Sequence, residues 1–226
     1  ADIKTIDLFL SKTYAPFTFS LEVPFIKGDI GSIFASNSLN QYNGKAVIAE
    51  TSFDINESNK IILDLGHVSG ENGSRPSFNA LYLNPNYHVG ELLFRYNLYA
   101  VKDNNQSLYD SYISNTQYIK LGFKTKTESW NWEANFLMAN ALETARKGEV
   151  SYNHQKQKLY TANENQENDL GKEINIKGLF QINPNLHWDA FWAYHFVGDY
   201  FAFTNSDVKI NLKNVMLLRS SITLTF

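Results

Sequence analysis

Apolar and polar positions alternate along most of this chain with a period of two, the signature of strands that present one face to an apolar medium and the other to water. At the C-terminal end Met216, Leu218, Ser220, Ile222, Leu224 and Phe226 share one parity, and Arg219, Ser221, Thr223 and Thr225 the other. The same division separates Trp188, Ala190, Trp192, Tyr194 and Phe196 from His187, Asp189, Phe191, Ala193 and His195. It recurs with Trp130, Trp132, Ala134, Phe136 and Met138 against Asn131, Glu133, Asn135 and Leu137, and with Phe17, Phe19, Leu21, Val23 and Phe25 against Thr18, Ser20 and Glu22. Continued through the chain, the pattern predicts about eleven strands, near 3–10, 17–26, 45–55, 60–68, 77–83, 89–101, 116–126, 130–141, 172–182, 186–196 and 214–226.

The connections alternate in length. Short links rich in turn residues include Tyr14-Ala15-Pro16, Asn56-Glu57-Ser58-Asn59, Asn84-Pro85-Asn86, Glu128-Ser129 and Asn183-Pro184-Asn185. Longer polar segments run over 27–44, 69–75, 102–114, 144–171 and 197–213, and the charged, Asn- and Gln-rich segment 144–171 reads as a mobile loop. Short turns at one end and long loops at the other are the habit of an outer-membrane barrel, with the short turns periplasmic.

Composition narrows the alternatives. The 226 residues are 43% hydrophobic and 15% aromatic, yet the mean hydropathy is −0.33, so apolar and polar residues are finely interleaved. No stretch approaches the length of a membrane-spanning helix. A soluble β-sandwich also alternates, but it places aliphatics inside and charge outside, whereas here the apolar face is rich in Trp, Tyr and Phe. The expected fold is therefore all-β, a transmembrane antiparallel up-and-down β-barrel in a single domain over residues 1–226. Trp130, Trp132, Trp188 and Tyr87 lie at or just after short turns, where an aromatic girdle belongs.

The net charge of −3, with scattered cations, offers no field for nucleic acid. Without cysteine there is no disulfide, thiolate metal site or cysteine nucleophile. The polar parity carries Arg95, Lys120, Lys124, Lys177 and Arg219, with Glu91, Glu133, Glu173 and Asp189, as candidates to line the lumen, together with Glu22, Glu50 and Asp64. Such charges either pair across strands and fill the interior or select what passes. The histidines do not make a site. His187 and His195 lie too far apart on one strand to act together, and His154 reads as a loop residue. Ser69-Gly70-Glu71-Asn72-Gly73 lacks the ligand count of a Ca²⁺ loop and reads as a turn. No catalysis, metal or cofactor is expected.

An odd strand number is awkward, because single-chain bacterial barrels have even numbers. Two resolutions stand: an ascending strand hidden in the pattern, or further strands N-terminal to Ala1; the second is preferred. Gly66-His67-Val68-Ser69-Gly70-Glu71 resembles the G-x-x-S-G-D/E element that closes a strand in alginate-export-type outer-membrane proteins. Asn84-Pro85-Asn86-Tyr87-His88-Val89-Gly90-Glu91-Leu92-Leu93-Phe94 and Glu22-Val23-Pro24-Phe25-Ile26-Lys27-Gly28-Asp29-Ile30-Gly31 are similar to segments of the same group. The resemblance implies a barrel of up to eighteen strands, about seven of them preceding Ala1. A terminal aromatic such as Phe226 resembles the signal read by barrel-assembly machinery. The expected function is an outer-membrane pore for passive or export-type passage of a hydrophilic solute or polysaccharide. The alternative is a plugged, non-conducting barrel whose long extracellular loops act at the surface. Expected partners are outer-membrane lipids, lipopolysaccharide and the solute, with the lumenal acids disfavouring a polyanion such as alginate unless they are paired.

Overall fold

The computed structural model describes residues 1–31, 40–73, 76–95, 113–206 and 210–225. In chain order the strands are β1 (Asp2–Tyr14), β2 (Phe17–Gly31), β3 (Asn40–Asp54), β4 (Asn59–Val68), β5 (Ser77–Phe78), β6 (Thr116–Lys126), β7 (Trp130–Ala141), β8 (Val150–Asn153), β9 (Lys158–Thr161), β10 (Asp169–Asn183), β11 (Leu186–Val197) and β12 (Val215–Leu224). A 3-10 turn covers Asp199–Ala202. Nine strands form one ladder in the order β1-β2-β3-β4-β6-β7-β10-β11-β12, and every neighbouring pair in it is antiparallel. This is an all-β, up-and-down sheet of the β-barrel kind, and nine of the eleven predicted strands are its members.

The two faces are chemically distinct because side chains alternate across each strand. On the outer face Ile61, Leu65, Ile119, Leu121, Phe123, Trp132, Met216, Leu218 and Ile222 are exposed. A water-soluble sheet ordinarily buries such residues, whereas here they stand exposed in neighbouring rows. The inner face holds the charged and amide side chains and is partly covered by the rest of the chain.

Two predicted strands are corrected. Of 77–83 only Ser77–Phe78 is extended, and it pairs parallel with β3 through Gln41 and Tyr42. Residues 89–95 form no strand, and the remainder of predicted strand 89–101 lies outside the described residues, as does Phe226. β4 instead pairs directly with β6, and residues 69–73 and 76–95 lie as a strap across the inner face. The reason is packing. Leu81, Leu83, Val89 and Leu93 are buried with Ile113 against Ala46, Ile48, Val68, Tyr118, Leu137 and Ala139 of the wall. Apolar residues of the strap thus have somewhere to go other than lipid, and local alternation cannot distinguish the two destinations.

Segment 144–171 also departs from expectation. It contains the β8–β9 hairpin, and β10 begins at Asp169. His154, at the end of β8, is buried and accepts a hydrogen bond of 2.8 Å from the Glu71 amide through Nε2. Burial pushes its pKa down to about 3. A protonated Nε2 would face the Glu71 N–H donor to donor, so geometry and desolvation both hold the ring neutral.

Candidate functional site

Register places seven inner-face residues on one continuous rung of the wall. Asp54 pairs with Lys60, Lys60 with Lys124, Lys124 with Glu133, Glu133 with Lys177, Lys177 with Phe191, and Phe191 with Arg219. Signs are interleaved where neighbours touch. Lys60 lies 3.1 Å from Asp54 and Lys124 2.9 Å from Glu133. Lys177 and Arg95 both bind the carboxylate of Glu91, which the strap supplies. Arg219 has no carboxylate in ion-pair range among the described residues; its guanidinium stands 5.5 Å from the Phe191 ring centroid, with the Lys177 ammonium at 5.9 Å from the same ring. An aromatic face between two cations attracts both without neutralising either. A pocket of about 240 Å³ opens here, lined among others by Lys124, Glu133, Lys177, Asp189, Phe191 and Arg219.

The expected lining residues therefore separate into groups. Lys124, Glu133, Lys177 and Arg219 share the rung, and Asp189 lies one step nearer the short turns, accepting a hydrogen bond from the Ser221 hydroxyl. Glu91 and Arg95 approach from the strap. Lys120 lies deeper, 2.8 Å from Asp64, with side-chain exposures of 15% and 10%. That pair fastens β4 to β6 and is little exposed, whereas Lys124 and Lys177 retain 41% and 45%.

Glu173 does not line open space. It is fully buried and its carboxylate accepts hydrogen bonds from the backbone amides of Glu91 (2.7 Å), Leu92 (3.0 Å) and Leu93 (2.7 Å). Three successive amides converging on one carboxylate make a nest, here with the anion supplied by the wall. A Cβ on Gly90 would meet the Leu93 carbonyl oxygen at 2.6 Å and Glu173 Oε2 at 2.9 Å, so only glycine lets the strap close on this carboxylate. Glu173 also accepts from Asn175 Nδ2 at 3.0 Å, Asn175 Oδ1 from Asn135 at 2.9 Å, and Asn135 donates to Glu133 at 2.9 Å. The charged rung and the strap are thus joined through one hydrogen-bonded chain.

The root of the strap is a second knot. Ser69 Oγ donates to the Asn79 carbonyl at 2.6 Å and accepts from the Lys45 amide at 2.9 Å. Glu71 accepts from the amides of Gly73 and Asn79, each at 2.7 Å. The segment read as a turn is therefore the strap's fastening. Gly66 leaves room for the Tyr118 ring: a Cβ there would lie 2.1 Å from Tyr118 Cε1. Tyr118 in turn meets Tyr87, whose hydroxyl is 3.0 Å from both Glu50 and the Tyr118 hydroxyl. Tyr87 accordingly belongs to the inner side and not to the girdle.

Trp130, Trp132 and Trp188 lie on the outer face toward the short turns, and Trp192 lies on the same face two rows beyond Trp188. Trp130 stacks on Trp132 at 5.6 Å and on Phe180 at 4.3 Å. Sequence parity alone places these rings and the rung residues on opposite faces. It does not reveal Lys60, Asp54, Asn135 and Asn175 as partners, because that depends on which strands are neighbours. Of Phe191, alternation says only that it shares the parity of Asp189 and His195. His195 itself is buried, within 3.1 Å of the Leu170 carbonyl through Nε2, and no cluster of three metal-ligating side chains occurs among the described residues.

No family model and no curated protein matches the chain. Among solved structures it is similar to OccK2 (OpdF) of Pseudomonas aeruginosa, at 12% identity and a TM-score of 0.41, the match covering 98% of this chain and 50% of that one. The chain thus spans half the length of that structure.

Proposed function

We propose that this chain forms part of the wall of a bacterial outer-membrane β-barrel and that its inner face lines a path for a hydrophilic solute or polysaccharide, without catalysis. The observation that carries this reading is the rung from Asp54 to Arg219: charged side chains held at one level on the inner face, directly behind an outer face of Trp, Phe, Ile and Leu. Glu91 is held by Arg95 and Lys177 and Glu133 by Lys124, and such paired, mixed signs suit a polar but uncharged or weakly charged cargo. The long-loop end then faces outward from the cell and the short turns face the periplasm.

Closure of the path follows from the edges. β1 and β12 each have one neighbour in the described ladder, and a free edge in hydrocarbon leaves backbone groups without partners. Nine antiparallel strands leave β1 and β12 running the same way, so an all-antiparallel barrel needs an odd number of further strands between them. We place such strands there, in keeping with a larger barrel.

The strap favours a second reading, a plugged barrel acting through its loops, because it covers much of the inner face with apolar packing. Planar-bilayer recording separates the two. Stepwise conductance whose cation-to-anion permeability ratio rises in Arg219→Glu supports the path; a folded protein that never conducts supports the plug.

A further inference from the structure

On the outer face, one row crosses β7, β10, β11 and β12 as Trp132, Gly178, Ala190 and Ser220. The rows on either side are mostly large: Trp130, Phe180, Trp188 and Ile222 toward the short turns, and Ile176, Trp192 and Leu218 away from them, with Ala134 on β7 the small member of the second row. Between them lies an apolar groove of about 190 Å³ with Gly178 and Ala190 at its floor and all four tryptophans of the chain around it. Its walls are stiffened by ring stacking, Trp130 on Trp132 and on Phe180. The one indole donor beside Ser220 is already used, since Trp188 Nε1 donates to Ser220 Oγ at 2.8 Å.

Gly178 is the telling residue. A Cβ on Gly44, Gly66 or Gly122 would come within 3.1, 2.1 or 2.5 Å of a neighbouring side chain, so those glycines are explained by protein packing. At Gly178 the nearest atoms are those of the Trp132 ring at 3.9 Å and beyond, and its φ lies outside the left-handed region. Neither sterics nor backbone conformation calls for glycine in the middle of this strand, where it costs stability, and such a position marks the close approach of something else.

We propose that the groove is a binding site for one acyl chain of a diacyl phospholipid, held with its upper methylenes against Gly178 and Ala190 between the tryptophans. The proposal rests on the membrane-wall reading above. The groove is continuous with the lipid-facing surface and begins one row, about 7 Å, from the row of Trp130 and Trp188. If that row marks the headgroup level, the groove sits at the depth of the first part of an acyl chain. On the orientation proposed, this is the periplasmic leaflet, which selects phospholipid over lipopolysaccharide. A second copy of the chain fits less well, because the groove is small and ringed by projecting indoles.

Tryptophan fluorescence tests this, because every tryptophan borders the groove. The protein purified from membranes is titrated in dodecyl maltoside micelles with phosphatidylcholine brominated at carbons 6 and 7 of one chain, and is separately reconstituted in vesicles of the same lipid. The expected result is saturable quenching in micelles at one lipid per chain, weakened about tenfold or more in Gly178→Leu, a loss of about 1.4 kcal/mol. Ala190→Leu, which fills the groove from β11, should match it, and Ala49→Leu, on the outer face of β3, should leave the titration unchanged. Non-saturating quenching, or equal curves for wild type and both filled variants, overturns the site. So does self-association in micelles that the filled variants abolish, which would make the groove a seam between copies. Absence of quenching in vesicles would instead sink the membrane-wall reading itself.

Discussion

Glu173 and His154 show how single buried groups hold this molecule's inner architecture. The three amide bonds to Glu173 are charge-assisted, and a buried amide left without its acceptor costs about 1–3 kcal/mol. Glu173→Gln presents an amide donor to that nest, so we expect strap detachment with a loss of about 3 kcal/mol, read as new proteolytic cleavage within residues 76–95. Gly90→Ala should act in the same direction by sterics alone, with the Glu173 charge intact. His154 has a different dependence. Its folded pKa is depressed to about 3 from 6.5, so the neutral ring's contribution is fully present above pH 6.5 and is lost as pH falls from there through 3. The protection of the Glu71 amide, the intrinsic exchange rate at each pH divided by the observed one, should fall across that window, and His154→Phe should remove that fall.

At the level of elements, the strands divide into those that make the wall and those segments that line it. β4 and β6 are fastened by Lys120 and Asp64, a pair with little exposure, while β6, β7 and β10 carry the accessible Lys124, Glu133 and Lys177. Removing one partner from a buried pair leaves an uncompensated charge, whereas an exposed pair contributes less than about 1 kcal/mol. Lys120→Glu should therefore impair folding, seen as lost heat-modifiable migration in gels. Lys124→Glu should fold and change ion selectivity alone. The hydrogen-bonded chain from Glu133 through Asn135 and Asn175 to Glu173 also couples rung to strap. Combining Glu133→Gln with Glu173→Gln should give a non-additive stability change, since neighbours in one network do not act independently.

For the whole molecule, the consequence of two open edges is a specific expectation about closure. The chain contains no cysteine, so paired substitutions report without background. Ser11→Cys on β1 and Ser221→Cys on β12, introduced together, should form neither an intrachain nor an interchain disulfide in protein extracted from membranes. Backbone amides on the outer edges of both strands should nevertheless resist exchange as well as those of β2 and β11. Protection without cross-linking means that other strands cover the edges. A disulfide within one chain would mean direct closure, and one between chains a seam between copies. Same-oriented copies would have to meet in parallel there, given the odd count in the ladder.

Much of this was written in local alternation. The period of two determined nine wall strands, which face of each is apolar, the outward direction of Trp130, Trp132 and Trp188, and the parity shared by Lys124, Glu133, Lys177 and Arg219, because each depends only on residues i and i+2. The strap did not follow from it. Residues 77–83 and 89–94 alternate like strands, yet a hydrophobic residue packs as well against Leu137 or Tyr118 as against lipid, and only the pairing of β4 with β6 decides between them. Tyr87, Glu173 and His154 changed roles for the same reason: a tyrosine after a turn, an acid on a polar parity and a histidine in a loop are each defined by what lies across the sheet. Contacts between residues some eighty positions apart, Glu71 with His154 and Glu91 with Glu173, are properties of strand order, and strand order exists only in the tertiary structure.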